Sequence, residues 1–71
     1  MSNFEIIIAS LPDKENVVAE IYYRNKYWAQ ISQESGQCIL KLYSDPDGQK
    51  WEFEFEEAMN ILNKAKEKLI K

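Results

Sequence analysis

The stretch Trp51-Glu52-Phe53-Glu54-Phe55-Glu56-Glu57-Ala58-Met59-Asn60-Ile61-Leu62-Asn63-Lys64-Ala65-Lys66-Glu67-Lys68-Leu69-Ile70 changes its hydrophobic period part-way along. From Trp51 to Phe55, aromatic and acidic residues alternate, the two-residue repeat of a strand with one face covered. Beyond that point the apolar positions are Phe55, Ala58, Met59, Leu62, Ala65 and Leu69, with Ile61 broadening the stripe. That is the spacing of one helix face about four turns long. Acids lead the segment, and Lys64, Lys66, Lys68 and Lys71 finish it, as the helix field prefers. The switch predicts an amphipathic helix from about Phe55 to Ile70, laid on a sheet that the upstream residues supply.

Upstream, Ser44-Asp45-Pro46-Asp47-Gly48-Gln49 is a strong turn signal, because Pro46 presets φ and Gly48 tolerates a positive value. Before it, Cys38 to Tyr43 alternates, with Cys38, Leu40 and Leu42 on one side and Ile39, Lys41 and Tyr43 on the other. Glu34-Ser35-Gly36-Gln37 is a further turn. Val17 to Arg24 fits two periods: Val17, Val18, Ile21 and Tyr22 make a helical stripe, whereas Ala19, Ile21 and Tyr23 make a strand face. Its Val, Ile and Tyr content favours the strand, which makes a hairpin with Tyr27-Trp28-Ala29-Gln30-Ile31-Ser32-Gln33.

Hairpin register decides which rings face inward. For Ala19, Ile21 and Tyr23 to share a side with Tyr27, Ala29 and Ile31, the loop needs an odd number of residues. A three-residue loop is expected, with Asn25 or Lys26 left-handed. A two-residue turn would bring Trp28 to that side instead. Phe4 to Ala9 is nearly all apolar and reads as a central strand. Ser10 to Asn16 is a loop or short turn, where Ser10 and Asp13 are placed to cap one helical turn. The expected fold is a single α+β domain spanning residues 1–71: an antiparallel meander of four or five strands with the C-terminal helix packed on one face.

Composition narrows the function. The chain has 71 residues, no His and one Cys. A domain this small buries only roughly 60% of its unfolded surface, and neither an intramolecular disulfide nor a thiolate–imidazole zinc site is available to help. Self-association is the remaining aid. Nine Lys or Arg stand against twelve Asp or Glu, for a net charge of −3, which argues against a nucleic-acid partner. The N-terminus has no basic leader, and Ile6-Ile7-Ile8-Ala9 is too short to span a bilayer, so a cytoplasmic protein without a membrane partner is expected. In that setting Cys38 reads as a small buried apolar residue, with no base to make it a nucleophile.

Catalytic and metal constellations are weak. Asp45, Asp47 and Glu52 cluster at a turn, but Pro46 interrupts the alternate ligands of a calcium loop, and turn chemistry explains the aspartates better. Glu52, Glu54, Glu56 and Glu57 read as a solvated acidic row, since no neighbour would bury one and raise its pKa. Ser10, Ser32, Ser35 and Ser44 have no histidine partner, and Gly36 and Gly48 form no phosphate loop. No enzyme and no cofactor are expected.

The aromatics carry more information. One helix is too little to cover both faces of the sheet, so rings on the open face would make a contact surface. Trp28 alternates with the polar Gln30 and Ser32 and is the expected exposed anchor, with Tyr22 and Tyr43 beside it as partner-binding residues. The bland alternative is that the rings only pack on one another across strands. The runs Ile8 to Tyr22, Trp28 to Glu34 and Tyr43 to Gly48 resemble a family of small uncharacterised bacterial proteins, over nearly the whole chain. That resemblance implies no catalytic or binding residue. Bacterial domains of this size are frequent among immunity proteins that shield a cell from a toxin, an association rather than a derivation.

The expected function is therefore protein binding, to another protein or to a second copy, as an inhibitor or immunity-type module. Acidic character suits a basic, nucleic-acid-cleaving target. Two alternatives stand beside it: a small-ligand or regulatory module with a pocket lined by Met59, Trp51 and Tyr23, and a single-stranded nucleic-acid binder using stacked rings.

Overall fold

Two tight hairpins and one broken register set the architecture. The computed structural model describes residues 3–12 and 16–70. It contains β1 (Phe4–Ala9), β2 (Val18–Tyr23), β3 (Lys26–Glu34), β4 (Gln37–Leu42) and α1 (Phe55–Ile70). The strands form one antiparallel sheet in the order β1-β2-β3-β4, so the meander has four strands and Val18–Tyr23 is one of them, while β1, expected to be central, is an edge strand whose Ile7 and Ile8 are exposed. Asp13, expected to pair with Ser10 as a cap, and Lys71 lie outside the described residues.

The β2–β3 turn differs from the expected three-residue loop. It holds two residues, Arg24 and Asn25, both with positive φ (49° and 69°), the combination whose twist matches the flanking strands. Tyr23 therefore pairs with Lys26 and Tyr22 with Tyr27, yet further along Ile21 pairs with Ala29. Trp28 is the extra residue of a β-bulge, where two residues of one strand oppose one of its partner. Tyr27 consequently shares a side with Tyr22, while Trp28 joins Ala29 and Ile31 in the core. The expectation of an exposed Trp28 is corrected: it is 7% exposed.

On the helix side, Trp28, Phe4, Tyr23, Trp51 and Phe53 form a block of rings. Phe53 is its hub, with centroids 5.0 Å from Phe4, 4.8 Å from Tyr23, 4.9 Å from Trp28 and 5.6 Å from Trp51. The alternation of Trp51 to Phe55 is thus real in its side chains but not in its backbone. Among the described residues, the stretch from Trp51 to Glu54 pairs with no strand. It crosses the end of the sheet, and the Trp51 indole N–H donates to the Tyr43 carbonyl at 2.8 Å. Glu54 then starts the helix: its carboxylate accepts the N–H groups of Glu56 (3.1 Å) and Glu57 (2.9 Å), which have no partner within the helix. Phe55, expected on the packed stripe, is instead 69% exposed, because Phe53 has already taken the inward position.

Helix width explains what stays bare. A helix with its side chains is about 10 Å across and strands lie about 4.8 Å apart, so one helix covers two or three strands. α1 packs on β2 and reaches β1 and β3, burying Ala65 and Leu69. β4 lies beyond it, and Cys38, expected in the core, is exposed there together with Leu40 and Leu42.

Replacing Phe53 by Ala should cost about 3 kcal/mol in urea unfolding, because a ring hub is lost, whereas Phe55→Ala should stay within about 0.5 kcal/mol. Equal losses at both positions would contradict this phase of packing.

Candidate functional site

The face of the sheet opposite α1 is laid out by strand pairing. Residues directly opposite one another project on the same side, so Glu5, Tyr22 and Tyr27 form one row across β1, β2 and β3, which Tyr43 extends past β4. Ile7, Glu20, Gln30 and Lys41 form the next row. In the first row the Tyr22 and Tyr27 rings stack at 4.9 Å with planes 20° apart, and Tyr43 leans on Tyr27 at 4.6 Å. Of the three residues expected to bind a partner, the structure brings Tyr22 and Tyr43 together through Tyr27 and takes Trp28 away. Tyr27 was missed because an odd-numbered loop would have sent it inward. The signal was present in Arg24-Asn25, since Asn accepts the left-handed conformation that a two-residue turn requires.

The second row fixes the first. Both the Tyr22 and Tyr27 hydroxyls donate to the Glu20 carboxylate, at 3.3 and 3.5 Å, and the Gln30 amide donates to the Tyr27 hydroxyl at 3.1 Å. Gln30 is 5% exposed, and its Oε1 has no hydrogen-bond partner among the described residues. Burial pushes the Tyr27 hydroxyl up to about 12; the Gln30 hydrogen bond opposes that shift and the Glu20 charge adds to it. Tyr22 is raised as well, first by burial, then by the charge and hydrogen bond of Glu20, and by the charge of Glu5. These phenols are neutral donors across the physiological range, and the row presents ring faces bordered by carboxylates.

Elsewhere, the turn acids have an internal use. Lys26 Nζ lies 3.3 Å from Asp45 and 2.7 Å from Asp47, while Asp45 also accepts the Asp47 N–H at 2.9 Å. That backbone hydrogen bond, followed by Lys26, holds the Asp45 carboxyl below its ordinary range. Lys26 and the turn backbone thus account for both aspartates. No group of three or more His, Cys, Asp or Glu side chains suited to a metal occurs among the described residues. Tyr23 and Trp51 do line a cleft of about 180 Å³, together with Arg24, Lys26, Asp45, Lys50, Glu52 and Phe53, but Met59 is not part of its wall.

Comparison of the chain with protein-family profiles, with curated proteins and with solved structures gives no match.

Tyr27 keeps its proton when folded over a range where the unfolded chain, with an ordinary value of 10.0, has lost it. The unfolded state then binds fewer protons, so stability should fall as pH rises from about 10 to about 12. Tyrosinate absorbance should show a late step that Tyr27→Phe removes. A Tyr27 that ionises at the ordinary value of 10.0 would contradict its burial.

Proposed function

We propose that the protein is a non-enzymatic binding module that docks a basic protein partner on the Glu5-Tyr22-Tyr27-Tyr43 row, in the manner of an inhibitor or immunity protein. One observation carries the reading: a stacked tyrosine row, edged by Glu5 and Glu20, lies on the sheet face that α1 leaves uncovered. Lys and Arg side chains recognise that combination, since a cation over an exposed ring gains about 0.5–1 kcal/mol and a neighbouring carboxylate adds a directional acceptor. The rings are held before binding by one another and by Glu20 and Gln30, which lowers the ordering cost of a contact. A net charge of −3 steers a basic partner in and repels polyphosphate, so association should weaken with salt.

In affinity capture from the native cell, the tagged chain should retain a protein of basic isoelectric point that elutes at raised salt. Tyr22→Ala, on a half-buried outer-face position, should weaken that capture at least tenfold while the circular dichroism is preserved. Capture unaffected by both Tyr22→Ala and Tyr43→Ala would refute the assignment.

A further inference from the structure

β4 closes the order of the sheet, and among the described residues no strand lies beside its outer edge. A single hydrogen bond tells which of its backbone groups are free. The Tyr43 N–H donates to the Trp28 carbonyl at 2.8 Å, continuing the register that sets Leu42 opposite Ala29. Hydrogen-bonded positions alternate in an antiparallel ladder, so Tyr43, Lys41 and Ile39 turn their N–H and C=O toward β3, and Leu42, Leu40 and Cys38 turn theirs outward. These outward residues also carry their side chains on the helix side, past the reach of α1, where Leu40 is 47% and Leu42 63% exposed. One set of positions therefore offers both free backbone groups and uncovered apolar surface.

We propose that β4 pairs antiparallel with β4 of a second copy of this chain, about a twofold axis at Leu40. Leu40 then faces the partner's Leu40, and Cys38 faces the partner's Leu42. Every outward N–H and C=O of Cys38, Leu40 and Leu42 finds its complement, and the leucines of both copies merge into one patch between the two helices. On the other side Lys41 faces the partner's Ile39, so the two lysines are offset rather than opposed.

Charge and coverage select β4 over the opposite edge. The Arg24 N–H bond to the Asn3 carbonyl, 3.1 Å, turns Phe4, Ile6 and Ile8 outward on β1 by the same alternation. Phe4 is already buried in the ring block, so pairing there covers less new apolar surface. β1 also carries Glu5, which would approach a chain of net charge −3. β4 has no acid and one Lys, so a like-charged second copy meets least repulsion along it. This surface is distinct from the tyrosine row, and the two assignments stand or fall separately.

Cysteine placement tests the register. In a Cys38→Ser background, Leu40→Cys brings two thiols together at a Cα separation of about 5.5 Å, within disulfide range. Position 42 is offset from its own twin by about 13 Å along the strands. Mild oxidation should crosslink the Leu40→Cys chain into a dimer and leave Leu42→Cys and Ile6→Cys chains uncrosslinked. Sedimentation of the unaltered chain should give twice 8.4 kDa, and Leu42→Glu should return it to the single-chain mass. A single-chain mass for the unaltered protein at high concentration, or crosslinking at position 42 or 6 in place of 40, overturns the proposal.

Discussion

One extra residue in β3 decides which rings of this protein are inside and which are outside. Strand side chains alternate with a period of two, so an inserted residue reverses every assignment beyond it. Because Trp28 is that residue, both it and Ala29 reach the helix side, while Tyr27 is delivered to the other face against Tyr22. The ring block around Phe53 and the tyrosine row across the sheet therefore depend on the two-residue turn and the bulge together. After the same two-residue turn, a regular β3 would keep Trp28 opposite Ile21 but turn Ala29 and Ile31 outward and bring Gln30 and Ser32 into the core.

The second constraint is supply. One helix cannot cover four strands, and the segment from Tyr43 to Glu54 makes up part of the difference by folding Trp51 and Phe53 over the end of the sheet. Aromatic pairs contribute about 0.5–1.5 kcal/mol each beyond the area they bury, which makes rings an efficient way to close a small core without disulfide or metal. What α1 leaves bare falls into two areas of different chemistry. The face opposite α1 is aromatic and acidic, and its phenols are locked by Glu20 and Gln30. The β4 margin is apolar, uncharged on the helix side, and backed by free peptide groups.

Much of this was legible in the residues themselves. The period change at Phe55 located α1 because charge gradient, apolar stripe and the acids of its first turn all agreed. The meander followed from turn chemistry at Ser35-Gly36 and from strand composition. Among the readings that failed, three show the physical reasons. Trp51 to Phe55 alternates without pairing, since periodicity reports which side chains are buried and not where backbone hydrogen bonds go. Cys38 sits in an apolar run, but burial depends on what covers a strand, and sequence does not disclose the lateral position of a helix. Trp28 was assigned outward by parity, and parity fails at a bulge. Tyr22 and Tyr43 were found as face residues; Tyr27, which joins them, required the turn length.

The inward placement of Trp28 is the point on which the face assignments rest, and it can be observed alone. Trp51→Phe leaves Trp28 as the sole tryptophan and keeps a ring beside Phe53. Its fluorescence should then be blue-shifted and nearly insensitive to acrylamide in the folded protein, moving to longer wavelength only on unfolding. Long-wavelength emission with free quenching in the native state would mean that β3 runs regularly from a three-residue loop, with Tyr27 inward, and that the tyrosine row is not formed as described.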